Sequence, residues 1–271
     1  MKSWKTPTPD QVERAVAALS TPEHVRYFFE RLNNPKWVAK LHAKGMFRQP
    51  PEPARDRDRQ TISYPPWPQS SYLRRVSAEA SDDVVVVINS LPETDNIRVH
   101  ANLLEALAAM PSEVAVTALP QIQRWLRRPR VDDLTVLAAA KLIVNLATGG
   151  IQEVWQLVDT LWAVEPSEIE KDLETAGREN RYSLHRPTLR TDNWNYAEAL
   201  VKARQSLLAL DYQRFIGLLC QLLDRAMTFS ENKTPPSDYS YIWRLAIEDH
   251  PQNLERTDDV ETILLLALRE S

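Results

Sequence analysis

Five histidines, one cysteine and two groups of arginines are the side chains of this 271-residue chain with the most chemistry to offer. Histidine and cysteine can ligate metals, move protons or attack carbonyls. His24, His42, His100, His185 and His250 are scattered, and no pair shows the i,i+3 or i,i+4 spacing that puts two ligands on one helical face. Glu248-Asp249-His250 sets three ligating side chains in a row, but on a helix they point about 100° apart. The following Pro251 reads as a helix end, where such residues serve in capping and solvation. Cys220 lies in the apolar run Phe215–Leu223. An apolar setting keeps a thiol protonated, so the expectation is a buried small hydrophobe. One cysteine also excludes a disulfide framework and a multi-cysteine zinc site. No serine stands beside an obvious base. The five glycines form neither a GxGxxG nor a GxxxxGK[ST] spacing, so a phosphate-cradling loop is missing. The expectation is no catalytic residue, no metal site and no cofactor.

The arginines offer anion contact. Arg124, Arg127, Arg128 and Arg130 flank Trp125 and Pro129 at a helix end. Arg178, Arg181, Arg186 and Arg190 accompany Tyr182 and His185, with Glu179 the only acid between 178 and 190. Arginine beside aromatic rings suits phosphate contact and base stacking. Against this, arginine at a helix C-terminus complements the helix dipole. The chain carries 33 Lys+Arg against 37 Asp+Glu, a net charge of −4, which lacks the field of a nucleic-acid binder. Pairing within the chain is the leading expectation, and nucleic-acid contact through residues 178–190 the alternative.

These residues must be positioned by helices. Glycine is under 2% of the chain by the count of five in 271, against an average near 7%, and no Asn-Gly or Asp-Gly hairpin signal occurs. Thr21-Pro22-Glu23 reads as N-cap, first helical residue and acidic first turn. Ser81-Asp82-Asp83 and Ser112-Glu113 read the same way, and Ser167-Glu168-Ile169-Glu170 as a capping box. The run Val84-Val85-Val86-Val87-Ile88 favours strand by its β-branching, but no second run offers a partner, so a helix is expected. Asp132–Thr148 is apolar nearly all round and should be central. Ile151, Val154, Trp155, Val158, Leu161 and Trp162 form an amphipathic stripe. Further helices are expected at Tyr196–Leu210, Tyr212–Thr228, Tyr239–Glu248 and Asp258–Arg269. Two long loops interrupt about twelve helices, at 48–71 and 177–195. Tyr64-Pro65-Pro66-Trp67-Pro68 should anchor the first loop by burying its rings, in preference to serving as a polyproline ligand. The alternation at Arg55-Asp56-Arg57-Asp58-Arg59 should form its mobile tip.

Short connectors imply antiparallel neighbours, and stretches 81–110 and 111–148 each read as cap, helix, break and longer helix. The expected fold is therefore all-α, a single domain over residues 1–271 built as an irregular HEAT-like array, or α-solenoid. The longest apolar runs, Val84–Pro92 and Leu134–Ala140, fall well short of the roughly 18 residues a spanning helix needs. The start, MKSWKTPTPD, shows no leader. A cytoplasmic protein without membrane contact is expected.

The segments RLNNPKWVAKLHAKGMF, YPPWPQSSYL, LPETDNIRVH and YIWRLAIEDHPQN resemble segments in the N-terminal parts of long, uncharacterised bacterial proteins. More broadly the chain resembles HEAT/armadillo-type solenoids, whose usual role is to hold partners. The resemblance implies a bacterial protein whose chain continues past Ser271, in a signalling or anti-phage defence assembly. Val260, Ile263, Leu264, Ala267 and Leu268 form an apolar stripe close to the final residue, so it is the expected partner surface or junction. The functional expectation is a non-enzymatic scaffold that holds a partner protein or a further domain of the same chain. The alternatives are a nucleic-acid module using Arg178, Arg181, Arg186, Arg190, Arg127 and Arg128, and an enzyme domain assembled from distant residues.

Overall fold

The computed structural model describes residues 6–56, 61–127, 133–162 and 194–232. Proline sets many of the helix starts. In α1 (Pro9–Ala18), Thr8 and Gln11 cap each other's backbone N–H groups in a capping box. In α2 (Pro22–Arg31), the Thr21 hydroxyl accepts from the His24 N–H, as its Thr-Pro-Glu start implies. A 3₁₀ turn (Pro35–Trp37) capped by Asn34 leads into α3 (Val38–Ala43). Next come α4 (Pro68–Val76), α5 (Ser81–Ser90), α6 (Ile97–Ala108) and α7 (Ser112–Ala115). A second 3₁₀ turn (Val116–Ala118) joins α7 to α8 (Leu119–Leu126). The series continues with α9 (Asp133–Thr148), α10 (Val154–Trp162), α11 (Trp194–Leu210) and α12 (Tyr212–Asn232).

The valine run is helical. Val84, Val85, Val87 and Ile88 are buried and Val86 faces out, so burial on a helical face outweighs the β-propensity of branched side chains. Two expected caps sit elsewhere. Ser81 is the first residue of α5 and Ser112 the first of α7, and neither helix start has a side-chain cap bond. At the end of α9, Gly150 has φ +76°. There the Ile151 N–H reaches the Leu146 carbonyl and the Gly150 N–H that of Ala147, a left-handed C-terminal lock that suits glycine. Gly149 precedes it for a different reason. A Cβ there would lie 2.0 Å from the Ser112 hydroxyl, so α7 and the end of α9 meet only over glycine.

The 48–71 loop departs from expectation. It ends at Pro68, where α4 begins, and it contains an antiparallel hairpin, β1 (Ala54–Asp56) with β2 (Thr61–Ser63), in register Ala54↔Ser63, Arg55↔Ile62 and Asp56↔Thr61. The remainder of that RDRDR tip lies outside the described residues, as do most of the 177–195 loop, the 167–170 capping box and the helices expected beyond 238. Trp194 and Asn195 belong to α11. Apart from the hairpin, the described elements are helices. Among the described residues no helix is long and apolar enough to cross a membrane.

Helices alternate between two rows. One row runs α2–α4–α6–α9–α11, each packed on the next; the other runs α1–α3–α5–α7, with α8 packed on α10. Polar ties join like ends within a row. Arg75, in the last turn of α4, donates to the carbonyls of Phe29 and Leu32 at the end of α2. Asn145, late in α9, donates to Met110 O at 2.9 Å and Leu107 O at 3.4 Å beyond and within the last turn of α6. Thr148 meets Ser206 of α11 at 3.2 Å, and His42 at the end of α3 meets Ser90 at the end of α5. Neighbours within a row are therefore parallel. The core between the rows is apolar, and α9 supplies much of it, with Val136, Leu142, Ile143 and Leu146 fully buried.

Candidate functional site

Of the arginines singled out by sequence, Arg124 and Arg127 fall in described structure. Arg124 lies 4.0 Å from Glu93 and donates to the Gln121 amide oxygen, so it pairs within the chain. Arg127 is the exposed C-cap of α8. Arg128, Arg178, Arg181, Arg186 and Arg190 lie outside the described residues, as do Val260, Ile263, Leu264 and Leu268. Cys220 requires a correction: it is exposed. The buried face of α12 is Phe215, Ile216, Leu218, Leu219 and Leu222. Rotation by about 100° per residue carries position 220 past that stripe, a signal that the apolar composition of the segment obscured.

The three histidines within the described residues, His24, His42 and His100, are engaged in packing and capping, and His185 and His250 lie outside them. The His42 Nε2 lies 3.0 Å from the Ser90 hydroxyl, which also sits 2.8 Å from the Val87 carbonyl. A hydroxyl has one proton. Given to Val87, it leaves Ser90 accepting from His42, the reverse of what a general base beside a nucleophile requires. The pair fastens α3 to α5. His100 is buried and stacks on Trp125, with ring centroids 5.0 Å apart and planes 16° from parallel. His24 contacts the Ser20 hydroxyl at 3.3 Å at the start of α2. Among the described residues no group of three His, Cys, Asp or Glu side chains could hold a metal ion.

Several of the segments that carry the resemblance converge on one structural knot. The buried Asn96 amide donates to the carbonyls of Pro51 (3.0 Å) and Pro65 (2.8 Å), closing the two ends of the hairpin loop, while its oxygen caps α6 through the Arg98 N–H. Thr94 adds a bond to Pro51 O, and the Asp95 N–H donates to Glu52. Trp67 is buried, as the anchor reading requires, whereas Tyr64 is only half-buried; Tyr72 of α4 is buried beside the loop base. Tyr72 donates to Asn34 O at 2.8 Å and lies against Phe29 and Phe47. Burial pushes its phenol far above the ordinary value, with the Arg75 charge acting the other way. Arg75 also holds Asn33 at 3.0 Å. These residues are spent on joining α2, α4 and the loop base.

What remains on the surface is a charged ladder across the first row. Glu105 of α6 receives Arg74 of α4 on Oε2 at 2.6 Å and Lys141 of α9 on Oε1. Partial burial pushes the Glu105 carboxyl up, yet the hydrogen bonds from Lys141 and Arg74 carry it below its ordinary value. On α11, Lys202 pairs with Glu198 at 2.6 Å. Sequence reasoning missed this ladder because its members stand 31 and 36 positions apart. Only the stacking of the helices brings them together. No protein-family model, characterised protein or solved structure matches the chain.

Proposed function

We propose that the chain is an irregular HEAT-like α-solenoid, acting as a non-enzymatic scaffold that holds a partner protein or a further domain of its own chain along its helical rows. The observation that supports this reading is the tying of like ends between alternate helices. Arg75 ties α4 to α2, Asn145 ties α9 to α6, and Ser90 ties α5 to α3. Stacked helix pairs generate parallel neighbours within each row, whereas an up-down bundle sets its neighbours antiparallel. Stacked rows expose long faces on which partners rest, and the polar clusters beneath them are committed to holding the stack.

The test has two arms. Small-angle scattering of the full chain should give a radius of gyration clearly above the roughly 18 Å of a compact domain of this length. Cross-linking in the native cell, followed by mass spectrometry, should recover one recurrent partner joined to residues on the outer faces. Scattering as a compact sphere would remove the solenoid. Recovery without a partner, together with turnover in an unbiased activity screen, would remove the scaffold.

A further inference from the structure

We propose that the solvent face of the first row is the docking site for an acidic, extended segment of a partner protein laid across the helices. This rests on the scaffold reading and names its surface and the partner's chemistry. The carriers are Arg74, Lys141 and Lys202, whose side chains are 45%, 56% and 47% exposed. They face two carboxylates, Glu105 and Glu198, so the ladder has a surplus of positive charge. Both oxygens of the Glu105 carboxylate are engaged, one by Arg74 and the other by Lys141. The cations are not. A guanidinium has five N–H donors and an ammonium three, and each spends one on Glu105. The remaining donors on these exposed groups suit carboxylates from outside. Leu134, two turns before Lys141 on the same stripe of α9, is 56% exposed and adds an apolar contact.

Spacing selects the partner's conformation. Packed helices lie about 8–10 Å apart, and a polyproline-II segment advances about 3.1 Å per residue with three residues per turn. Acidic side chains three residues apart in such a segment therefore share one face and recur at about the helix spacing. The same spacing disfavours nucleic acid. A duplex carries one charge per ~1.7 Å, far denser than this ladder.

The test uses the full chain and a fluorescein-labelled peptide of repeated Glu-Ser-Ala, with the Gln-Ser-Ala peptide as control, read by fluorescence anisotropy. The acidic peptide should bind at least about tenfold more tightly than the control, and its affinity should fall as salt rises. The variant Arg74→Gln/Lys141→Gln/Lys202→Gln should lose about tenfold, one decade of affinity. A second variant, Arg74→Gln/Glu105→Gln/Lys141→Gln, leaves no carboxylate stranded and should lose affinity while remaining folded by circular dichroism. Lys36→Gln/Lys40→Gln, beside the second row, should bind as wild type. Equal binding of the two peptides, no binding, or unchanged affinity in both ladder variants overturns the proposal. Tighter binding of a single-stranded oligonucleotide than of the acidic peptide overturns it as well. If the peptide arm fails while scattering and cross-linking succeed, the scaffold stands and only this surface assignment falls.

Discussion

Replacing Asn96 with alanine removes three bonds at once, and each can be weighed. The side-chain oxygen caps α6 through the Arg98 N–H at 3.0 Å, and loss of such a cap costs about 1 kcal/mol. The amide donates to the carbonyls of Pro51 and Pro65 at 3.0 and 2.8 Å from a fully buried position, and each bond contributes about 1 kcal/mol net. The sum is about 3 kcal/mol. For a chain of this size each kcal/mol moves the melting temperature by about 2–4 °C, so a fall of roughly 6–12 °C is expected. Asn96→Asp separates the two roles. It keeps the cap but sets a carboxylate against two carbonyl oxygens, so the loop base should open while α6 stays capped. The assays are thermal melting by far-UV circular dichroism and tryptic cleavage after Arg55. Both variants should be cut faster there, and melt lower, than wild type. Melting within about 1 °C of wild type for Asn96→Ala, an amount below one lost bond, together with unchanged cleavage, would refute the claim that Asn96 closes the loop.

Glu105→Gln should lower the melting temperature at neutral pH by about 2–4 °C, the loss of roughly 1 kcal/mol from a half-exposed ion-pair network. Because the folded carboxyl is held below its ordinary value of 4.5, its contribution is present above that value and is lost as pH falls through the lowered folded value. The gap between wild type and variant, followed by melting across acid pH, should therefore close there. Gly149→Ala should destabilise clearly, because its methyl would lie 2.0 Å from the Ser112 hydroxyl and 2.5 Å from the Ser112 Cβ. Ser112→Gly in the same chain should restore most of the loss in a melting experiment.

The elements were far more legible than the contacts between them. Thr21-Pro22-Glu23 announced α2 because cap, proline and acid act within one turn. The valine run resolved into helix because it had no strand partner, and burial of four of its five residues settles the matter. Local signals misled where they competed with packing: Ser81 resembled a cap and stands inside α5, and Cys220 sat among apolar neighbours yet faces out. The hairpin escaped because it uses none of the usual turn dipeptides. Asn96 was visible as one member of a resembling segment, but its partners at Pro51 and Pro65 depend on two loop ends meeting. The Arg74–Glu105–Lys141 ladder is tertiary throughout, and no periodicity along one helix encodes it.

The end-to-end ties have a mechanical consequence. Arg75 and Asn145 fasten the carboxyl ends of neighbouring first-row helices along one edge. Hydrogen bonds to carbonyls are short and directional, whereas apolar faces tolerate small sliding. At the α4–α6 rung the amino edge is fastened as well, by Asn96 to Pro65 and Asn102 to Ser70, while Arg74 and Glu105 hold the carboxyl edge, so sliding these two helices past each other breaks directional bonds at both ends.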